Sequence, residues 1–198
     1  MLLSSFTPDK IEAGCDEVGR GPLAGPVVAS AVILPKDYQN ELLDDSKKIS
    51  KRLREQLELE IKAIAIAWAV VEVSPQEIDQ VNILNASFLA MHRSIDQLKT
   101  QPELLLIDGN RFNPYQDVPF ECIVKGDGKY LSIAAASILA KTHRDRIMEE
   151  AAKEYPGYGW ETNAGYPTKK HREAIKEIGI TPLHRMSFKL IPDQLDLF

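Results

Sequence analysis

The chain carries an adjacent carboxylate pair, Asp16-Glu17, that runs straight into Gly19-Arg20-Gly21-Pro22-Leu23-Ala24-Gly25-Pro26. Two acids beside a glycine-rich loop suit metal-assisted chemistry on a phosphate backbone. Carboxylate oxygens hold hard divalent cations, glycines let backbone approach a ligand without steric cost, and a guanidinium grips phosphate with two parallel donors. A dinucleotide-binding loop is the competing interpretation. The spacing Gly-x-Gly-x-x-x-Gly, with Pro22 and Pro26 in the loop, speaks against it, because such a loop must open a helix whose N-terminus holds the pyrophosphate.

Further acids follow segments that read as strands. Ile11, Ala13 and Cys15 precede the first pair, and the apolar, β-branched run from Val27 to Leu34 follows the loop. Leu104-Leu105-Leu106-Ile107 is wholly apolar, the pattern of a buried strand, and stops at Asp108-Gly109-Asn110. Phe120-Glu121-Cys122-Ile123-Val124 leads to Lys125-Gly126-Asp127-Gly128-Lys129. Asp-Gly and Gly-Asp-Gly are also ordinary solvated turns. Three strands each ending in an acid nevertheless predict a convergent cluster, because open α/β sheets place their sites at strand ends.

The remaining periodicity predicts the supporting helices. Ser50 caps a helix with Leu53, Leu57, Ile61 and Ile64 on one face. Ala67 to Val73 reads as a strand, Pro75 starts a short helix, and Ile83 to Leu98 is helical. Tyr130 to Tyr155 is the longest helix, and its Ala134-Ala135-Ala136 segment suits close approach to a sheet. Thr168 to Ile178 is a further helix. Strands followed by alternation with helices predict an α/β fold, a mixed sheet flanked by helices.

Composition sets outer bounds. A length of 198 residues fits one domain: a catalytic unit over 1–190, with a helical subregion over about 155–190, and a flexible tail over 191–198. A hydrophobic fraction of 44% supports a core. No apolar run reaches the ~18–20 residues needed to span a bilayer, and Met1-Leu2-Leu3-Ser4-Ser5 lacks the basic and apolar regions of a secretory signal. Cys15 and Cys122 read as small side chains of predicted strands in a reduced, cytoplasmic protein. The formal net charge of −5 opposes nucleic-acid binding, but local basic groups exist: Lys47-Lys48 with Lys51-Arg52, Lys141 with Arg144 and Arg146, and Lys169-Lys170-His171-Arg172. His143, His171 and His184 neighbour basic residues and are candidates to touch phosphate, whereas His92 reads as packed or surface-exposed within a helix.

The motifs together resemble the bacterial ribonuclease HII family. They are Gly14-Cys15-Asp16-Glu17-Val18-Gly19-Arg20-Gly21-Pro22, Asp45-Ser46-Lys47-Lys48, Ile107-Asp108-Gly109-Asn110, Lys125-Gly126-Asp127 with Ser132 to Lys141, and Gly165-Tyr166-Pro167-Thr168. They span about residues 11 to 188. The sister type, ribonuclease HIII, is disfavoured: it carries an additional N-terminal domain, while 15 residues precede Asp16 here, and its loop lacks the Gly-Arg-Gly triplet. The resemblance implies a ribonuclease H-like fold whose C-terminal helices lie over the substrate. It also implies cleavage of RNA in RNA–DNA hybrids and on the 5′ side of single ribonucleotides in duplex DNA.

On this basis Asp16, Glu17, Asp108 and Asp127 are expected to hold two Mg²⁺ or Mn²⁺ ions about 3.5–4 Å apart. One ion would acidify a water and the other would stabilise the leaving 3′ oxygen, giving 3′-hydroxyl and 5′-phosphate ends. Asp127, between two glycines, is expected to be the least rigid ligand, ordering only with substrate. Asp145 is a rival fourth acid, but its place between Arg144 and Arg146 suggests a structural salt bridge. Backbone groups of Gly19, Arg20 and Gly21 are expected to read the 2′-hydroxyl, Tyr166 to pack on the neighbouring deoxyribose, and Lys47 to contact substrate. Asn163-Ala164 stands where many relatives carry His-Lys, which would remove a backbone contact.

The tail Gln194-Leu195-Asp196-Leu197-Phe198 resembles the pentapeptide by which bacterial proteins dock on the sliding clamp, with Gln194, Leu195, Leu197 and Phe198 as contacts. A monomer is expected. Two other classes are a resolvase- or integrase-type nuclease, which would lack Gly19-Arg20-Gly21 with Tyr166, and a non-catalytic hybrid-binding or clamp-accessory protein, which would have lost an acid.

Overall fold

A computed structural model describes residues 2–43, 46 and 49–191. Five strands form one sheet in the order β3-β2-β1-β4-β5. They are β1 (Glu12–Val18), β2 (Val27–Ile33), β3 (Ala67–Val73), β4 (Leu104–Asp108) and β5 (Phe120–Ile123). The first three form an antiparallel meander, while β4 and β5 run parallel to β1. The sheet is thus mixed, and the C-terminal ends of β1, β4 and β5 lie along one edge of it.

Side-chain alternation divides the core into two layers. Ala13, Cys15, Ala29, Ala31, Leu105 and Ile107 face α3 (Ile83–Asp96), which contributes Ala86, Phe88, Met91 and Ile95. On the other face Val32 and Leu34 meet α1 (Lys51–Ile64) and α4 (Leu131–Glu154). Ser50 caps α1 through Leu53 N–H, as its sequence predicts, and Leu57 and Ile61 are the buried stripe. The short α2 (Pro75–Val81) starts with a Ser74–Glu77 capping box.

Helix α4 lies directly against β1. A Cβ placed on Gly14 would stand 2.2 Å from the Ser132 carbonyl carbon, so only glycine permits this approach. The alanines of Ala134-Ala135-Ala136 are all fully buried there. Close packing of α4 brings its polar Ser137 and Lys141 to the same sheet edge as the acids.

The C-terminal elements α5 (Trp160–Asn163) and α6 (Lys169–Ile178) form a third cluster. In it Tyr158, Trp160, Ala174 and Ile175 pack on Leu23 and Ala24 of the glycine loop and on Met148 of α4. No described helix is long and apolar enough to cross a membrane.

Candidate active site

Asp16 and Glu17 lie inside β1, near its C-terminal end, paired with Ser30 and Ala29 of β2. Neighbouring strand residues point to opposite faces, so the two carboxylates straddle the sheet. Asp16 faces α4, whereas Glu17 faces the α3 side, beside Leu84, Ser87, Phe88 and Met91. Asp108 ends β4, the neighbouring parallel strand, and borders both sides. A cleft of about 350 Å³ is lined by Asp16, Glu17, Asp108 and Asp127 together with Gly19, Arg20, Gly21 and Tyr166. These described candidates therefore meet in one place, although they come from positions 16 to 166.

Local hydrogen bonds fix the acids. One oxygen of Asp16 accepts the Glu17 N–H at 2.7 Å. Ser137 of α4 donates to Asp16 as well, and its hydroxyl lies 2.9 Å from that of Ser46. Asp108 Oδ1 accepts the Gly126 N–H at 2.7 Å. Arg20 reaches Glu17 at 3.3 Å while remaining exposed. Asp127 is buried in a single 3₁₀ turn, Gly126–Gly128, rather than at the end of β5, which stops at Ile123. The expectation of a strand-end acid is corrected here: the chain leaves β5, passes Lys125 in a left-handed conformation, and presents Asp127 from the turn that leads into α4.

Burial and mutual repulsion set the electrostatics. Desolvation raises the Asp16 carboxyl well above the usual range, and the charges of Glu17 and Asp108 raise it further. Glu17 is pushed up to about 7, by burial first; Arg20 opposes this and Asp108 adds to it. Four carboxylates face only two cations among the described lining residues, Arg20 and Lys141, and Lys141 is bonded to Asp145. Oxygen donors with uncompensated negative charge fit a hard divalent cation. Among the described residues no three acids, histidines or cysteines gather closely enough to enclose one ion, in keeping with Asp16 and Glu17 facing opposite sides of the sheet.

Several expected contacts are replaced by others. Asp145 pairs with Arg54 at 3.0 Å and with Lys141, not with Arg144 or Arg146, because residues adjacent on a helix do not face each other. Arg146 pairs with Glu58 and Lys51 with Glu149. His143 pairs with Glu72 at 2.7 Å. Arg144 is buried and donates to the carbonyls of Pro26, Ala24 and Ala164, so it is no phosphate contact.

His171 and His184 are likewise buried, not phosphate-facing. Trp160 Nε1 donates to His171 Nε2 at 3.0 Å, so the other nitrogen, Nδ1, carries the proton and donates to the Tyr166 carbonyl at 2.9 Å. His184 Nδ1 accepts from Thr181 N–H, leaving its Nε2–H to donate to His171 Nε2 at 3.2 Å. Burial and the neighbouring His171 hold His184 at about 4, and burial pushes His171 below its ordinary value as well. Asn163 accepts the Gly165 N–H through its side chain and thereby shapes the turn before Tyr166.

Sequence reasoning assigned no role to Ser137 or Arg185. Ser137 and Lys141 sit one helical turn apart on α4, the spacing that puts both on the cleft side. Arg185 has no local signal; its role exists only through its contacts with the glycine loop. Lys47, Gln194, Leu195, Leu197 and Phe198 lie outside the described residues.

Acids gathered at the parallel edge of a mixed sheet, beside a glycine loop open to a phosphate chain, define a metal-dependent phosphodiester hydrolase of the ribonuclease H-like fold. The ribonuclease HII family model matches residues 13–191. The ribonuclease HII of Parabacteroides distasonis is 64% identical over 197 residues, covering 100% of this chain and 99% of that protein. That of Bacteroides fragilis is 63% identical over 199 residues, with the same coverage. Among solved structures, ribonuclease H2 from Pyrococcus horikoshii OT3 superposes with a TM-score of 0.78 at 26% identity, covering 90% of this chain and 94% of that one. The RNase HII in the PCNA:RNase HII complex from Archaeoglobus fulgidus superposes with a TM-score of 0.76 at 30% identity, covering 95% and 100%. The chain belongs to the ribonuclease HII family. It is accordingly a metal-dependent endoribonuclease, a hydrolase acting on RNA–DNA hybrids.

Proposed function

We propose that this endoribonuclease, besides degrading the RNA of hybrids, nicks duplex DNA on the 5′ side of a single embedded ribonucleotide. The supporting observation is one juxtaposition. A Cβ on Gly21 would stand 3.5 Å from the Tyr166 ring, across the cleft that holds the four carboxylates. A ribose whose 2′-hydroxyl meets the backbone of Gly19, Arg20 and Gly21 then leaves the next sugar against the half-exposed Tyr166 ring. A second hydroxyl there would be crowded, which favours ribose followed by deoxyribose.

Asp16, Glu17, Asp108 and Asp127, which line one cleft, would hold two divalent ions, Mg²⁺ or Mn²⁺. Bound there, such ions acidify the attacking water and neutralise the departing 3′ oxygen. The side chains do the positioning: Ser137 orients Asp16, the Gly126 N–H orients Asp108, and Arg20 holds Glu17 while its exposed end meets the phosphate chain. Lys47 is proposed to add a substrate contact.

A labelled DNA duplex with one ribonucleotide, incubated with Mg²⁺, Mn²⁺ or chelator, tests this. Metal-dependent cutting 5′ of the ribonucleotide, giving 3′-hydroxyl and 5′-phosphate ends and lost in Asp108→Asn, is the expected result. Cutting of continuous hybrid alone would remove the proposed roles of Gly19, Arg20, Gly21 and Tyr166.

We also propose one domain over 1–190 and docking of the tail, through Gln194, Leu195, Leu197 and Phe198, on a sliding clamp. The relative from Archaeoglobus fulgidus was solved in complex with PCNA. Loss of clamp binding on replacing Leu197 and Phe198 by alanine, with nicking of free duplex unchanged, is expected; unchanged clamp binding would refute the docking.

A further inference from the structure

The glycine loop and Tyr166 lie more than a hundred residues apart, and the segment from Thr181 to Phe188 is bonded directly to the loop and, through His171, to Tyr166. The Gly25 N–H donates to the Leu183 carbonyl at 2.9 Å, and the Arg185 N–H donates to the Leu23 carbonyl at 2.9 Å. Between these bonds, Ala24 and His184 form an antiparallel bridge. His184 then supports His171, whose Nδ1–H holds the Tyr166 carbonyl.

Arg185 is fully buried, and its guanidinium is spent on the loop backbone. Nη2 donates to the Gly19 carbonyl at 2.6 Å, Nη1 to that of Arg20 at 3.1 Å, and Nε and Nη2 to that of Gly25 at 3.0 and 2.9 Å. Among the described residues no carboxylate lies at ion-pair distance from it. A carbonyl and the following N–H share one planar trans peptide and point in opposite directions. Drawing the carbonyls of Gly19 and Arg20 inward therefore turns the N–H groups of Arg20 and Gly21 outward, toward the cleft. Gly19, at φ 96°, permits the turn.

We propose that Arg185 is a positioning residue for ribose recognition: it fixes the outward aim of the Arg20 and Gly21 amides, and its segment sets their spacing from Tyr166 through His184 and His171. This rests on the assignment of Gly19, Arg20, Gly21 and Tyr166 as the ribose reader. The segment is anchored at a distance from the cleft by Asp79, which accepts from Met186 N–H at 2.9 Å, Ser187 N–H at 2.9 Å and the Ser187 hydroxyl at 2.6 Å. A lysine at 185 keeps the charge and loses the fork that spans three carbonyls.

The test compares kcat/KM on a duplex with one ribonucleotide against a continuous RNA–DNA hybrid, for the full chain and for Arg185→Lys, Asp79→Ala and Tyr166→Ala, with thermal melting to certify folding. Misplacing a recognition group by about 1 Å costs up to about a hundredfold, so Arg185→Lys is expected to lower the single-ribonucleotide to hybrid ratio by about tenfold or more. Asp79→Ala, which touches nothing in the cleft, is expected to lower it in the same direction by less. A role in folding alone would reduce both substrates equally. If the folded Arg185→Lys and Asp79→Ala proteins leave the ratio unchanged while Tyr166→Ala lowers it, the positioning role is overturned and the reader stands. An unchanged ratio in Tyr166→Ala removes the reader, and the positioning role with it. Should Arg185→Lys fail to fold, Asp79→Ala decides alone.

Discussion

Asp108 at the end of β4 accepts the backbone N–H of Gly126 at 2.7 Å. That bond ties one candidate metal ligand to the turn presenting another, Asp127. It exists because β4 and β5 are parallel neighbours, with Gly109 N–H on the Ile123 carbonyl at 3.1 Å, so both chains leave the sheet at one edge. A Cβ at 126 would meet Ile133 Cδ1 at 2.6 Å, so glycine lets the turn pack against α4 without displacing that side chain. Asp127 is consequently buried in a defined turn.

Asp108→Asn separates chemistry from architecture. Asparagine keeps the oxygen that accepts from Gly126, so the melting temperature is expected to stay within a few degrees of wild type. Cleavage is expected to fall by more than the 10–100-fold typical of outer-shell changes at metal sites. Thermal melting with single-turnover cleavage on one preparation checks both halves.

Asp145→Ala is expected to do the opposite. Its carboxylate bridges Arg54 and Lys141 in a partly buried setting, and its removal should cost about 1–3 kcal/mol of stability. Metal dependence should persist, with Asp145 contributing no ligand. Urea unfolding and an Mn²⁺ titration of activity measure the two effects separately, and abolished metal binding would restore Asp145 as the fourth acid.

The two glycines of the triplet should respond differently to alanine. At Gly19, with φ 96°, a Cβ would stand 2.4 Å from Arg144 Nε and 2.7 Å from the Pro26 carbonyl oxygen. Overpacking and backbone strain are expected to cost about 1–3 kcal/mol or more. At Gly21 the nearest atom is the Tyr166 ring at 3.5 Å, an ordinary contact. Gly21→Ala should therefore fold normally and lose single-ribonucleotide cleavage selectively, which melting curves and the two-substrate assay resolve.

The acids make metal-free stability depend on pH in a defined direction. A carboxyl whose folded pKa is raised favours the native state fully below its unfolded value of about 4.3. That contribution is lost as pH rises through the folded value, about 7 for Glu17. The metal-free protein should thus lose this contribution between about pH 4.5 and 7. Divalent ions, which bind the ionised form, should raise the melting temperature more at pH 8 than at pH 6. Scanning fluorimetry with chelator or Mg²⁺ across that range is the measurement; an Mg²⁺ shift that shrinks as pH rises would contradict the carboxylate cluster.

Short-range patterns made much of the fold legible. Apolar runs located β2 and β4, the periodic stripe and Ser50 located α1, and Asp16, Glu17 and Asp108 stood out as acids in or at the end of apolar strands. Those are local properties of spacing and propensity, which a chain carries before it folds. Contacts between distant segments were not legible. Arg144 looked like a local basic group, Arg185 carried no signal, and His171 and His184 looked like phosphate contacts, because a sequence does not show which polar groups will meet backbone carbonyls when buried.

The sequence by itself thus determined the order of strands and helices, the identity of the candidate acids and the glycine loop, and the family they indicate. Tertiary structure alone decided that Asp16 faces α4 and Glu17 the α3 side, that Asp127 arrives from a 3₁₀ turn tied to Asp108, and that Tyr166 faces Gly21 at the cleft. The reason is physical: periodicity is set by neighbours along the chain, whereas burial, shifted proton affinities and shared hydrogen bonds arise only when residues 16, 108, 127, 166 and 185 are brought together.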